Sequence, residues 1–122
     1  SSWYRIQDCL RGTCGEVTYE NLETYATMRK ACQRLPIQLS EFAQVWQEVE
    51  TIRNSQEELI VGSKFRKILS QKIPSSIPEI TFYRWFYRAG LNFRKREEYT
   101  PSELVPVVVS AFCWYLRKSK ER

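Results

Sequence analysis

The sequence contains no histidine, one methionine, four glycines and four cysteines in 122 residues. Without histidine the chain lacks the commonest general base and proton shuttle. Its cysteines form no Cys-x-x-Cys pair: four residues separate Cys9 from Cys14, and Cys32 and Cys113 stand far away. A zinc site would have to be all-thiolate at an odd spacing, so no metal site is expected. Free, mostly buried thiols in a reducing cytoplasm are the expectation instead. There is no glycine-rich phosphate loop, no carboxylate pair set on one face, and no base beside any cysteine, so no catalytic residue, cofactor or enzymatic activity is expected. No run of about 18 apolar residues is present, which excludes a membrane-spanning helix. No signal peptide is visible, and the chain opens at "SSWYRIQDC" directly in helix-like sequence, as a fragment or trimmed chain would.

What the chain does have is aromatic and basic. Hydrophobic residues make up 43% and aromatic residues 14%, enough for a packed core. The net charge of +5 is unevenly spread. Residues 1–59 hold six Lys/Arg against nine Asp/Glu, and residues 60–122 hold thirteen against five. An acidic half joined to a basic half reads as a packing or association module beside a polyanion-binding module, with chance surface asymmetry as the plainer alternative.

The expected fold is mainly α-helical, in three parts. Residues 1–36 read as an N-terminal helical region, with helices over 2–11 and 18–34 and a loop at the glycines between them. Residues 37–59 read as an amphipathic linker or association helix, with Ser40 as N-cap. Its apolar stripe, Phe42, Val45, Trp46, Val49 and Ile52, advances in steps of three and four. That stripe suits packing within the chain or pairing with a second chain, and it is too short to establish a coiled coil. Residues 60–122 begin with a helix over 63–73, capped by Ser63. There Phe65, Ile68, Leu69 and Ile73 face inward while Lys64, Lys67 and Lys72 face water. "PSSIP" at 74–78 turns the chain into a helix over 79–89 closed by Gly90. A short basic, hairpin-like segment follows, with the triplet Arg94, Lys95 and Arg96. Thr100, Pro101 and Glu103 then form a capping box for a last helix running to about Lys118, whose first turns Pro106 is expected to bend or fray.

Helix, tight turn, helix, basic segment and helix is the order of a helix-turn-helix with a wing. A helix fits the major groove, where exposed Arg and Tyr side chains reach base edges and phosphates. The turn would bring Ser75, Ser76 and the open N–H groups of the second helix near backbone phosphate. The stretch "TFYRW…RAGL" resembles the second helix of MerR-type and excisionase-type winged helix-turn-helix domains, through Thr81, Arg84, Trp85, Gly90 and Leu91. "EYTPSEL" resembles the tyrosine that closes the family's wing and the capped helix after it, through Tyr99, Thr100, Glu103 and Leu104. The resemblance covers roughly residues 60–117. The spacing from Thr81 to Gly90 is one residue longer than the family's, the wing is shorter, and the domain lies C-terminal rather than N-terminal. Residues 2–33 resemble a degenerate second copy, on short matches that chance also produces.

The resemblance implies a winged helix-turn-helix with a short β wing. It implies a sequence-specific regulator of transcription that binds double-stranded DNA, acting in the cytoplasm on the nucleoid. A homodimer is expected because one small module reads too few base pairs, with the helix over 41–54 or the C-terminal helix as its surface. A repressor is favoured because no small-molecule effector domain is evident. The expected contacts to DNA are Lys64, Lys67, Ser75, Ser76, Thr81, Tyr83, Arg84, Arg88, Arg94, Lys95 and Arg96. Some have a plainer alternative. Arg84 could pair with Glu79 or Glu103, the basic triplet could be a solvated loop, and Trp85 is expected in the core. Other functions stay open: a DNA-bending accessory factor of recombination, a protein-interaction module steered by charge, or an RNA-binding module using Tyr and Arg on unpaired bases.

Overall fold

A computed structural model of the protein describes residues 39–120. The expectations for residues 1–36, including the possible second copy, lie outside them. The described chain folds into α1 (Leu39–Arg53), β1 (Ile60–Val61), α2 (Gly62–Lys72), α3 (Glu79–Arg88), β2 (Glu98–Tyr99) and α4 (Pro101–Lys120). It is therefore mainly helical with a small two-stranded antiparallel sheet, in which Ile60 pairs with Tyr99 and Val61 with Glu98.

Four residues of the apolar stripe of α1 are used for packing; the side chain of Phe42 lies outside the described ones. Val45, Trp46 and Val49 are buried against α4, and Ile52 is half-buried beside them. They join Leu104, Val107, Val108 and Ala111 of α4, Phe65 and Leu69 of α2, and Phe82, Trp85 and Phe86 of α3 in one core. The expected boundary between 59 and 60 thus separates no cores, and these stripe residues are covered by the chain itself rather than offered to a second copy. A Lys72–Glu48 ion pair at 2.8 Å also joins α2 to α1.

Helix termini follow the sequence in some places and not in others. At α4 the capping box forms in full. The Glu103 N–H donates to Thr100 Oγ1 at 3.3 Å, and the Thr100 N–H donates to Glu103 Oε1 at 3.0 Å. The helix then continues unbroken through Pro106 to Lys120, against the expectation of fraying. The box holds its first turn, and buried Leu104 and Val107 hold the turns around Pro106. At α3 the end is a Schellman motif. The Leu91 N–H reaches Phe86 O at 2.9 Å, the Gly90 N–H reaches Tyr87 O at 3.0 Å, and Gly90 takes the left-handed φ of 75°.

Two expected caps are corrected. Ser40 and Ser63 lie one residue inside helices that start at Leu39 and Gly62. The residue before α2 is Val61, which makes no side-chain cap; instead the Gly62 N–H donates to Glu97 O at 2.8 Å, across the foot of the wing. The wing is not a self-contained hairpin either. Only Glu98 and Tyr99 are extended, and they pair back to the strand before α2, because residues 91–97 are occupied by turns and by the inward-facing ring of Phe93. A further correction concerns Cys113, which is buried and disulfide-bonded rather than a free thiol. Its partner lies outside the described residues.

Gly62 is needed for space. A Cβ there would sit 2.6 Å from Phe93 Cε2 and 3.2 Å from Tyr99 Cε2. Gly62→Ala is expected to cost about 1–3 kcal/mol in denaturant unfolding, as overpacking does. The cost should shrink when Phe93→Leu is introduced alongside it, since the two positions share the clash. An additive pair would refute this account of the crowding.

Candidate nucleic-acid interface

α3 has a sharply divided surface. Phe82, Trp85 and Phe86 are buried, which settles the inward role of Trp85. At about 100° per residue an outward face carries Ile80, Tyr83, Arg84, Tyr87 and Arg88. Ile80 is 63% exposed and Tyr87 82%, unusual values for such large side chains. Arg84 and Arg88 are fully outward and make no hydrogen bond or ion pair among the described residues. Neither acid considered as a partner for Arg84 takes it: Glu79 accepts the Tyr83 hydroxyl at 2.6 Å, and Glu103 is engaged by Arg96.

The basic segment after α3 is held at both ends by its aromatics. Phe93 sits with its ring centroid 5.1 Å from both Phe82 and Phe86. Tyr99 is fully buried 5.2 Å from Phe86, and its hydroxyl donates to Arg96 O at 2.7 Å. Between these anchors Asn92 folds the chain into a tight turn. Its side-chain oxygen accepts the Arg94 N–H at 3.2 Å, and its carbonyl accepts the N–H groups of Lys95 and Arg96. Arg94 and Lys95 are thereby projected into solvent at the tip. The Arg94 guanidinium lies 4.9 Å from the centre of the Tyr83 ring, which fixes the tip against α3. The two elements enclose a groove of about 410 Å3 that Ile80, Tyr83, Tyr87, Leu91, Phe93 and Arg94 line.

Arg96 is different from its neighbours. Its two terminal nitrogens fork onto the Glu103 carboxylate, one at 2.6 Å, and its Nε donates to Glu98 O at 2.8 Å. It thus joins the wing to the first turn of α4. The Glu103 carboxyl is lowered to about 2, first by the Arg96 hydrogen bond and then by the Thr100 N–H. The same bond raises Arg96. The Tyr83 hydroxyl is raised, chiefly by its hydrogen bond to Glu79.

The remaining expected contacts are dispersed. Lys64 is paired with Glu57, while Lys67 is exposed on α2. Ser75 is half-buried and Ser76 exposed in the connection before α3. That helix opens with Pro78 as N-cap, and Glu79 already places a carboxylate in its first turn. Thr81 lies on the other flank of α3, facing α4. Sequence reasoning missed Arg66, whose guanidinium lies 5.0 Å from the centre of the Phe82 ring, and Ile80, whose exposure only the helix phase reveals. No family model, no curated protein and no solved structure matches this chain.

The Glu103 carboxyl titrates lower in the folded chain than its ordinary value of 4.5, so its stabilising effect is complete above that value and is lost as pH falls toward 2. Glu103→Gln should therefore lower the urea midpoint at neutral pH, and the difference from wild type should close between about pH 4.5 and 2. A difference that persists at pH 2 would show that the carboxylate is not what joins wing and α4.

Proposed function

We propose that this protein binds double-stranded DNA through the outward face of α3 and the anchored basic loop after it, as a winged helix-turn-helix regulator of transcription. The observation that carries this reading is the division of basic side chains around α3. Arg84, Arg88 and Lys95 point to solvent with no partner among the described residues, while Arg96 is used to hold the loop in place. A helix face with two unpaired arginines suits base edges and phosphates of the major groove, and a loop tip with Arg94 and Lys95 suits the neighbouring backbone. The exposed Ile80 suits the methyl group of thymine. The sequence likeness to MerR-type and excisionase-type domains points the same way, with Tyr99 and the Thr100–Glu103 box closing the wing.

Repression is the favoured role, with DNA bending in recombination as the alternative within the same family. A homodimer suits a module of this size, because two half-sites supply the base pairs that one cannot. Such a protein would work where DNA is, in the cytoplasm. Disulfides are rare there, but Cys113 is a buried residue, 2% exposed, which limits the approach of attacking thiolates. A protein-binding function is the second reading, favoured by the exposed side chains of Ile80 and Tyr87 beside an apolar groove.

The test is fluorescence-anisotropy binding to random duplex DNA, single-stranded DNA and RNA across a salt series. Wild type should bind duplex with a steep salt dependence, and light scattering should give the mass of two chains on DNA. Arg84→Ala and Arg94→Glu should each weaken binding, with the salt slope falling by about 0.9 for each phosphate no longer neutralised. No duplex binding at about 0.1 M salt would overturn the proposal in favour of a protein partner, and preference for single strands would turn it toward RNA.

A further inference from the structure

α3 is apolar on two faces. Phe82, Trp85 and Phe86 are buried in the core. Ile80, Tyr83 and Tyr87 follow one another in steps of three and four on the outward side, so they form a second stripe along the helix. Ile80 and Tyr87 are well exposed there. Arginines alone would serve phosphates and base edges, so the contacts assigned to Arg84 and Arg88 leave the aromatic part of this stripe unused. The stripe borders the groove that Leu91, Phe93 and Arg94 complete, and no carboxylate among the described residues lines it.

Three properties of the groove describe its occupant. It offers a flat aromatic surface, because the exposed Tyr87 ring stacks on no other ring among the described residues. It offers donors, because the Asn92 side-chain nitrogen and the Arg94 guanidinium make no hydrogen bond among the described residues. Its positive charge comes from Arg94 and Lys95 at the loop tip, while the Glu79 carboxylate sits at the Tyr83 hydroxyl. A planar π face, hydrogen-bond acceptors and an attached anion are the parts of a nucleotide. An apolar peptide side chain would use the rings and leave the donors and cations idle. The groove volume of about 410 Å3 lies within the roughly 300–1,000 Å3 of small-ligand pockets, enough for a base and its sugar. A base inside a duplex is stacked on both faces and cannot enter, whereas an unpaired base swings out at low cost.

We infer that the groove between α3 and the basic loop is a stacking site for one unpaired base of a DNA strand. Tyr87 is the platform, Asn92 the donor to the base edge, and Arg94 and Lys95 face the adjoining phosphates. The site rests on the DNA-binding reading of α3 for the course of the strand, and it makes the preferred substrate a duplex interrupted by an unpaired base.

The test compares, by fluorescence anisotropy, a fully paired duplex, the same duplex with one unpaired thymine, the same duplex with an abasic nucleotide in place of that thymine, and the single strand. The thymine bulge is expected to bind about tenfold tighter than the paired duplex, the size of one base–aromatic stack. The abasic bulge, which bends as readily but has nothing to stack, should follow the paired duplex. Tyr87→Ala should bring the ratio of bulged to paired affinity close to one, and Tyr87→Phe should keep it. Arg84→Ala should weaken both duplexes and leave the ratio intact. Circular dichroism of each variant controls for folding.

Duplex binding with a wild-type ratio near one, a ratio indifferent to Tyr87→Ala, or an abasic bulge bound as tightly as the thymine bulge would overturn the inference and leave the DNA reading standing. Single-strand binding that Tyr87→Ala weakens, with no duplex binding, would sink the duplex reading and support the stacking site. No binding to any of the oligonucleotides would overturn both in favour of a protein partner.

Discussion

The aromatic cluster of Phe82, Phe86, Phe93 and Tyr99 is the interaction on which the other features depend. Phe82 and Phe86 belong to α3, Phe93 to the loop after it, and Tyr99 to the strand that closes the sheet. Their centroids lie 5.0 to 5.2 Å apart for the successive pairs through Phe86. Aromatic pairs at such separations, tilted or edge-on, add cohesion beyond the area they bury. The consequence is geometric. A loop rich in Arg and Lys would repel itself and spread into solvent, but rings near both of its ends fix its course. Only the residues between the rings are left to project. Gly62 belongs to the same constraint, because its missing side chain leaves room for Phe93 and Tyr99 against the start of α2.

This arrangement divides the positive charge into two sets. Lys64, Lys72 and Arg96 are engaged with Glu57, Glu48 and Glu103, and Arg66 lies over the Phe82 ring. They hold α2, the wing and α4 in place. Arg84, Arg88 and Lys95 are paired with nothing among the described residues and lie on α3 or the loop tip. The net charge of the basic half is therefore a poor guide to what it presents to a partner. What matters is which cations already have a carboxylate within reach. Exposed ion pairs contribute little individually, but the forked Arg96–Glu103 pair also completes the capping box at Thr100, so one carboxylate serves the wing and the start of α4 together.

Much of the chain's local structure was legible in its sequence. Thr100, Pro101 and Glu103 announced a capped helix start, and the box forms because both of its hydrogen bonds lie within four consecutive residues. Gly90 announced the end of α3, because the left-handed turn of a Schellman motif favours glycine. The apolar spacing of Val45, Trp46, Val49 and of Phe65, Leu69, Ile73 marked the buried faces of two helices, since helical phase is a property of the sequence alone. Ser40 and Ser63 were less informative. A serine near a helix start resembles a cap whether or not the helix begins one residue earlier, and at α2 the N–H is satisfied by Glu97 from the far side of the wing.

What only the tertiary structure decided is partnership across long sequence separations. The pairing of Ile60–Val61 with Glu98–Tyr99, the stacking of Arg94 on Tyr83, the burial of the α1 stripe on α4 and the oxidation of Cys113 each join residues that no local pattern connects. Helix phase, caps and turns are fixed by interactions within a few residues, so the sequence alone determines them. Which cation finds a carboxylate, and which is left facing solvent, depends on where distant elements come to rest, and that follows from the packing of the whole core.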